Sequence, residues 1–264
     1  MPFPHHNDHF PRAVDPGLAR DFVLDLPVAM LMDLDDTIVS YSTYAGPCWK
    51  RVCHNVADRI EGVGGEELYR TLAEARTWFW ADPDRHRANR QNMPLAIQRV
   101  VHHGLCRLGV EDWELAGTIA ESYERERGKT IKPFPGALET LRKLRECGVR
   151  MALVTNGGAG PQREKIRRFN LAHFFDAIFI EGECGYGKPD TRIYMDALRG
   201  LDARPGDTWM VGDNLEWEVV VPQRLGIYCV WNDAKGAGLP ENSGIRPDRI
   251  IRSLKELLPS RIDA

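Results

Sequence analysis

The sequence predicts an α/β fold, in which a parallel β-sheet core is interrupted by an inserted all-helical segment. Beyond residue 130, short apolar runs alternate with amphipathic helical stretches, as in parallel sheets with right-handed crossovers. Between residues 41 and 129 the apolar spacing is helical, and no strand-like run is evident. We therefore expect an N-terminal tail (1–20), a core (21–40 and 130–264) and an inserted helical segment (41–129).

The first predicted strand is the apolar run Val28–Met32, which ends in the acidic residues Asp33, Asp35 and Asp36. A continuous apolar run of this kind indicates a strand that is buried on both faces. Open α/β sheets bind their ligands beyond the carboxyl ends of such strands. Three carboxylates this close together repel one another unless a cation or a proton offsets them. The alternative is a solvated acidic turn.

The inserted segment is predicted to contain four helices, because its apolar residues recur at helical spacing. Their predicted bounds are Trp49–Glu61, Glu66–Trp80, Pro94–Leu108 and Glu111–Arg127. A glycine-rich stretch separates the first two helices. An irregular basic stretch between Pro83 and Pro94 separates the second helix from the third.

The remainder of the core is predicted as alternating strands and helices. The further strands are Arg150–Val154, Ala177–Ile180, Thr208–Val211 and Ile227–Val230. The helices are Gly136–Cys147, Pro161–Phe169, Thr191–Leu201, Glu216–Leu225 and Ile250–Leu258. Pro222 lies within the fourth of these helices, so the extent of that helix stays open.

Composition narrows the classes of partner. The net charge of −3 gives no electrostatic case for nucleic acid or for an anionic membrane. No apolar run approaches the roughly 18 residues that a membrane span needs, and the N-terminus has no secretory-signal pattern. Six cysteines without a CxxC pair are typical of a reducing compartment. We expect a cytoplasmic protein that binds neither nucleic acid nor membrane, and a homodimer stays open.

Polar residues unsuited to core packing follow four of the predicted strands. Because the carboxyl ends of parallel strands lie along one edge, these residues could converge there. They are Asp33 with Asp35, Thr155 with Asn156, Lys188, and Asp213. Each also has a structural alternative. The second pair could form a turn, the lysine could be a solvated loop residue, and Asp213 could begin a helix.

The chemistry indicated by this set is phosphoryl transfer to a carboxylate. Asp33 could be the nucleophile that forms an aspartyl-phosphate, and Asp35 could protonate the leaving oxygen and later deprotonate water. Asp33 and Asp213 could hold Mg²⁺, which prefers oxygen ligands and phosphate. Charge on the transferring oxygens could be neutralised by Thr155, the Asn156 N–H and Lys188.

The motifs DLDDT, VTNG, GKPD and VGDN, in this order, resemble those of the haloacid dehalogenase-like (HAD) hydrolase superfamily. The resemblance implies a Rossmann-like parallel sheet of five or six strands. It also implies the nucleophile Asp33, the acid/base Asp35, the phosphate binders Thr155 and Lys188, and Mg²⁺, to which Asp35 also gives its backbone carbonyl. The inserted segment 41–129 resembles the helical C1-type cap of the phosphatase branch, and we call it the cap.

Two residues depart from the usual motifs of this superfamily. Asp36 stands where the first motif often has glycine, although Asp or Asn there also resembles many members. The fourth motif often ends in a second aspartate, where this chain offers Glu218, with Glu216 as a lesser candidate. Glu218 could act through water or by orienting Lys188. The alternative is that both glutamates only favour the first turn of a helix.

The aspartate at position 35 distinguishes between the reactions that members of the superfamily catalyse. Dehalogenases of this kind lack an aspartate at this position because a halide leaves without a proton, whereas an alkoxide needs one. A phosphonatase-type reaction would need a cap lysine, and only Lys50 and Lys129 are available. We therefore expect a Mg²⁺-dependent phosphatase acting on a small phosphorylated metabolite. A phosphotransferase or mutase, a dehalogenase or phosphonatase-type member, a non-catalytic binding protein and a receiver domain are the alternatives.

The basic stretch of the cap, residues 82–92, contains Arg85, Arg87 and Arg90. Guanidinium groups bind carboxylate or phosphate with two parallel hydrogen bonds. Our hypothesis is that one of these arginines faces the active site and contacts the substrate. A solvated basic loop is the alternative.

Overall fold

A single six-stranded parallel sheet forms the centre of the computed structural model, which describes residues 26–259. The strands are β1 (Ala29–Met32), β2 (Arg150–Thr155), β3 (Ala177–Ile180), β4 (Thr208–Gly212), β5 (Tyr228–Asn232) and β6 (Arg249–Ile251). Their order is β3-β2-β1-β4-β5-β6, and every neighbouring pair is parallel. The predicted α/β fold with a Rossmann-like parallel sheet is confirmed. The predicted tail at residues 1–20 lies outside the described residues.

Strand β1 lies inside the sheet, between β2 and β4. Met32 is opposite Leu153 on one side and Val211 on the other. All four residues of β1 are 0% exposed, which confirms that the strand is buried on both faces. From β1 the chain builds the sheet outward to β3 and then returns to β4. The order therefore reverses between β1 and β4, which is where such sheets bind ligands.

Five helices lie between residues 45 and 130. They are α1 (Ala45–Val56), α2 (Gly65–Ala81), α3 (Pro83–Asn89), α4 (Met93–Arg107) and α5 (Trp113–Thr130). Helices α1, α2, α4 and α5 share an apolar cluster that includes Leu72, Leu105 and Ile119. Four of these helices were predicted. The limits of the cap at 41 and 129 stay a prediction.

Helix α3 corrects the predicted irregular stretch in the cap. The Asp82 side chain accepts a hydrogen bond from the Arg85 N–H at 2.7 Å and caps the helix, and Pro83 occupies the first turn. The basic residues that follow therefore lie on a short helix rather than on an irregular loop.

Helices cover both faces of the sheet. The core helices are α6 (Ala137–Glu146), α7 (Ala159–Arg168), α8 (Glu181–Cys184), α9 (Thr191–Gly200) and α10 (Val221–Arg224). Met30 and Met32 belong to the apolar cluster that contains Leu141 of α6. Ala29 and Leu31 belong to the opposite cluster, with α9. The alternation along β1 thus builds a three-layer core.

Two predicted core helices differ from the structure. The segment predicted as Glu216–Leu225 begins as a π-helical turn, Glu216–Val220, and continues as α10, with Pro222 in its first turn. The predicted closing helix Ile250–Leu258 is wrong. Its first part is β6, because Arg249 pairs with Val230 of β5, and a 3₁₀ turn at Leu254–Leu257 follows a Ser253 cap. In the described part of the chain, no helix is both long and apolar enough to cross a membrane.

Candidate active site

Asp33 lies just beyond β1, at the position where the strand order reverses. Its N–H donates to the Val211 carbonyl of β4 at 3.0 Å, which fixes its backbone against the neighbouring strand. Its carboxylate accepts from Lys188 Nζ at 2.7 Å on one oxygen and from Thr37 Oγ1 at 3.1 Å on the other. Burial raises the pKa of Asp33, although Lys188 opposes this effect.

Lys188 is fully buried between two carboxylates. Besides Asp33, its Nζ lies 2.7 Å from Glu218 Oε1. Although burial opposes its charge, these two carboxylates raise the pKa of Lys188 above the ordinary value. Since Lys188 is 0% exposed, it is not the solvated loop lysine of the alternative reading.

Glu218 is the glutamate of the fourth motif that reaches the site, whereas Glu216 is exposed. Its second oxygen accepts from the Asn214 N–H at 2.7 Å. A Cβ at Gly212, the last residue of β4, would collide with the Glu218 side chain. Glycine at that position therefore gives Glu218 room to turn back toward Lys188.

Asn156 holds the backbone of the lysine loop. Its Nδ2 donates to the Lys188 carbonyl at 2.8 Å, and its Oδ1 accepts from the Lys188 N–H at 2.8 Å. This pairing joins the loop after β2 to the loop after β3. The Asn156 side chain is thus a clamp on Lys188, a contact that the sequence did not predict. Thr155, the last residue of β2, is buried beside it.

Two residues of α7 that sequence reasoning missed hold the Asp35 carboxylate. Lys165 Nζ lies 2.5 Å from both of its oxygens, and Gln162 Nε2 donates to Asp35 Oδ2 at 3.0 Å and to Thr155 Oγ1 at 2.7 Å. Both side chains are buried. They are three residues apart, so they share one face of the helix. That spacing directly after VTNG is the signal that could have identified them.

Asp36 occupies a left-handed backbone conformation, with φ of +59°. Glycine adopts this conformation without strain, and aspartate tolerates it better than most residues. The Asp36 carboxylate also accepts from the N–H groups of Tyr41 and Ser42 at 3.0 and 2.8 Å. These bonds explain physically how aspartate replaces the more usual glycine of the first motif.

The site carries more negative than positive charge. Burial, followed by the charges of Asp33 and Glu218, raises the pKa of Asp213 to about 8. Burial also raises the pKa of Glu218 to about 7, against the effect of Lys188. The Oε1 atom of Glu218 is buried without a well-directed hydrogen bond. Three ionised carboxylates beside one lysine leave an excess that a divalent cation would balance.

The donor set fits Mg²⁺ in chemistry. Within residues 26–259, no group of three or more His, Cys, Asp or Glu side chains is arranged so that it could hold a metal ion by itself. Mg²⁺ does not need such a cage, because it commonly takes one or two carboxylates together with waters and substrate phosphate. Asp33 and Asp213, with the backbone carbonyl of Asp35, can supply ligands of that kind.

A cavity of about 470 Å³ opens beside Asp35, between the core and the cap. Arg90 lines it and donates Nε and Nη2 to one oxygen of Glu181, at 2.9 and 2.7 Å. Arg85 donates instead to the Trp78 carbonyl, and neither Arg85 nor Arg87 lines the cavity. Of the three cap arginines named by the sequence, the structure brings only Arg90 to the site, and there its charge is paired with Glu181.

Comparisons with known proteins identify the family of this chain. A sequence model of the haloacid dehalogenase-like hydrolase family matches residues 28–221. A phosphoserine phosphatase of Thermus thermophilus is 33% identical over 253 residues, which cover 86% of this chain and 96% of the relative. A glyceraldehyde 3-phosphate phosphatase of Methanopyrus kandleri is 29% identical over 239 residues, covering 87% and 95%.

Solved structures share the fold at lower identity. The magnesium-bound HAD-hydrolase YfnB of Bacillus subtilis is similar with a TM-score of 0.68, 20% identity, and coverage of 88% of this chain and 97% of that one. An L-2-haloacid dehalogenase of Xanthobacter autotrophicus gives a TM-score of 0.57 at 18% identity, with coverage of 88% and 97%. With the family model spanning most of its length, this chain belongs to the haloacid dehalogenase-like hydrolases, on their phosphatase branch, and is an enzyme, as the sequence predicted.

Proposed function

We propose that the protein is a Mg²⁺-dependent phosphatase that hydrolyses a small phosphomonoester through an aspartyl-phosphate on Asp33. The observation that supports this most directly is the pair of carboxylates beyond β1. Asp33 is buried against Lys188, and Asp35 is held by Lys165 and Gln162 at the mouth of the cavity. This arrangement supports attack on phosphorus by the first carboxylate and proton exchange with the ester oxygen by the second.

The reaction proceeds in two displacements. An Asp33 oxygen attacks phosphorus and the bond to the ester oxygen breaks, while Asp35 gives its proton to the departing alkoxide. Water then attacks the same phosphorus, Asp35 takes the proton from that water, and inorganic phosphate leaves Asp33. Lys188 and Thr155 neutralise charge on the phosphoryl oxygens. Mg²⁺, when bound by Asp33, Asp213 and the Asp35 carbonyl, supplies further positive charge at those oxygens.

Asp35 favours an ester over a halide as the substrate. Its two hydrogen-bond partners on α7 fix its orientation, and a proton donor in this position serves an alkoxide leaving group rather than a halide. The curated relatives named as phosphatases support the same choice. We propose a small phosphorylated metabolite of the cytoplasm as substrate, with no nucleic-acid or membrane partner. Phosphoryl transfer to a sugar is the second candidate, and a homodimer stays open.

The test is hydrolysis of p-nitrophenyl phosphate by the purified protein with Mg²⁺ and with EDTA. Asp33→Asn should abolish turnover. Asp35→Asn should release about one equivalent of nitrophenolate and then stop, because an aryl leaving group needs no acid but the second step still needs a base. Full turnover by Asp33→Asn would contradict the aspartyl-phosphate. Phosphorylation of an added sugar, in place of phosphate release, would favour the transferase.

A further inference from the structure

Two guanidinium groups of the cap carry buried N–H atoms without an acceptor among the described residues. They are Arg76 Nη1, on α2, and Arg127 Nε, on α5. The side chain of Arg127 is 8% exposed. Burying a guanidinium donor without an acceptor costs more free energy than burying an apolar group. Both atoms are therefore suited to an acceptor that the polypeptide itself does not provide.

Arg76 forms no ion pair with a carboxylate of the described residues, and its polar partner is the Tyr69 side chain. Its guanidinium lies over the Trp49 ring, with Cζ 5.0 Å from the ring centroid. The nearby groups that affect its charge are Tyr123, Tyr69 and Cys53, and burial lowers its pKa. Arg76 is partly buried, with its Nη1 atom fully buried. A partly buried cation without an anionic partner is unfavourable in a folded protein, and a bound anion would supply the missing partner.

Arg127 is only partly compensated. Its Nη2 lies 2.8 Å from Glu124 Oε1, and its Cζ lies 4.2 Å from the centroid of the Tyr41 ring and 5.3 Å from that of Tyr123. The Nε atom remains without an acceptor. Arg127 can therefore keep its pairing with Glu124 and still donate one hydrogen bond to a ligand.

Two neighbouring cavities contain these arginines and Asp35 in their walls. The cavity of about 470 Å³ contains Asp35 and Arg127 in its walls. A second cavity, of about 390 Å³, lies among the cap helices and contains Arg76 and Arg127. The two cavities share four wall residues, Tyr41, Trp80, Met93 and Arg127. Together they are larger than a three-carbon ester requires, and their aromatic walls suit a carbon skeleton.

We propose that the cap binds a second anionic group of the substrate, carboxylate or phosphate, through Arg76 and Arg127, at the end remote from the scissile phosphate. This inference rests on the proposed function and narrows its substrate class to phosphomonoesters whose alcohol carries that second anion. The alcohol spans the two cavities, so it is longer than three carbons. A carboxylate can accept from both arginines, because it has two oxygens and several lone pairs.

The experiment compares kcat/KM within matched pairs of esters. The carboxylate arm is 6-phosphogluconate against glucose 6-phosphate, and the phosphate arm is fructose 1,6-bisphosphate against fructose 6-phosphate. A shorter pair, 3-phosphoglycerate against glycerol 3-phosphate, tests the length requirement. The arm in which the ester with the second anion has the higher kcat/KM identifies that anion as carboxylate or phosphate. We expect a preference of about tenfold or more in one long pair, from a charge-assisted hydrogen bond, and a smaller one in the short pair.

Variants locate the preference within the cap. For each pair we take the ratio of kcat/KM for the ester with the second anion to kcat/KM for the ester without it. Arg76→Met and Arg127→Met should each reduce this ratio by about tenfold. Arg70→Met is the matched control, because Arg70 lies on the same helix as Arg76 but is exposed and lines neither cavity. This control should leave the ratio unchanged. Arg76→Met should also melt no lower than the wild type, since it removes a partly buried charge that has no anionic partner.

Two results of the ester comparison would overturn the inference: no preference, in any pair, for the ester with the second anion, or a preference that survives in both arginine variants. A large loss of melting temperature in Arg76→Met would instead assign Arg76 a structural role and would also contradict it. Failure of the proposed function would be seen separately, because the wild type would then not hydrolyse p-nitrophenyl phosphate, or Asp33→Asn would hydrolyse it at the full rate. That aryl ester carries no second anion, so its hydrolysis can succeed while the inference fails.

Discussion

Arg90 of the cap and Glu181 of the core form a buried ion pair beside the cavity, with Arg90 Nε and Nη2 at 2.9 and 2.7 Å from one Glu181 oxygen. The other Glu181 oxygen accepts from the Gly157 N–H, in the loop after β2, at 2.9 Å. Both residues are less than a tenth exposed. The cap is thereby connected, through one carboxylate, to the backbone beside Asn156.

Breaking this pair from one side should destabilise the protein strongly. Arg90→Met or Glu181→Gln leaves a buried partner unmatched, and we expect a loss of about 3–5 kcal/mol in the free energy of unfolding. The double variant Arg90→Met/Glu181→Leu should recover part of that loss. The control is Arg163 with Glu183, whose side chains are 48% and 35% exposed and should contribute about 1 kcal/mol or less. Urea denaturation measures all of these, and equal losses in the two pairs would contradict the prediction.

Metal-free protein should lose stability as the pH rises from about 5 to about 8. The Asp213 carboxyl titrates near 3.8 in the unfolded chain, whereas burial and the neighbouring carboxylates raise its pKa to about 8 in the folded protein. Between these values the folded protein keeps a proton that the unfolded chain has lost. This contribution is therefore complete below 3.8 and disappears as the pH rises through the folded pKa. The Glu218 pKa, raised to about 7, acts in the same direction.

Melting temperature against pH, with and without Mg²⁺, measures this effect. Asp213→Asn should flatten the metal-free curve, because the residue no longer titrates. Added Mg²⁺ should stabilise the wild type more at high pH, since the ion replaces protons on its ligands. A metal-free curve that rises across this range would contradict the raised pKa values.

Lys165→Met should impair catalysis more with alkyl esters than with aryl esters. Lys165 orients the Asp35 carboxylate, and a poor leaving group depends most on that proton donor. We expect kcat with an alkyl phosphate to fall by up to about 100-fold, with a smaller fall for p-nitrophenyl phosphate. Arg167→Met, an exposed position on the same helix, should leave both unchanged. Equal losses with both esters would indicate a general structural defect instead.

Gly212→Ala should destabilise the protein by about 1–3 kcal/mol, the range for an overpacked core. The added methyl group would collide with Glu218, which would have to leave Lys188. Gly206→Ala is the control, because nothing lies within 4 Å of a Cβ placed there, and its effect should stay within about 0.5 kcal/mol. Chemical denaturation compares the free energies of unfolding of the two variants. An unchanged value for Gly212→Ala would show that the Glu218 side chain can adopt another conformation without cost.

Residues that follow the strands could be predicted from the sequence, because parallel strands bring their carboxyl ends to one edge whatever the intervening loops do. Asp33 and Lys188 meet for this reason, and the order of the motifs identified the family. Strand β6 was missed altogether, and part of it was predicted as a closing helix, because its three residues are held by pairing with β5 rather than by a pattern of their own. Helix α3 was missed because a cap at Asp82 outweighed a polar, proline-flanked composition.

The partners of the site were harder to predict, since they depend on how elements pack rather than on local sequence. Lys165 and Gln162 face Asp35 only because α7 lies across that part of the sheet edge. The basic stretch of the cap drew attention to Arg85, Arg87 and Arg90, yet the cap arginine with an unsatisfied buried donor that lines both cavities is Arg127, on another helix. A cluster of basic residues in the sequence does not indicate which arginine the packing of the helices will bury.

The two hydrogen bonds of Asn156 join segments 32 residues apart in the chain. Through Gly157 and Glu181, the same loop is also tied to Arg90. A movement of the cap that displaced Arg90 would therefore also displace the loop that carries Asn156 and Gly157. Because Asn156 holds the backbone of Lys188, the Lys188 ammonium would move away from Asp33. Asp33 would then be paired with Lys188 only while the cap is closed over the core, when bulk water has least access to the Asp33 carboxylate.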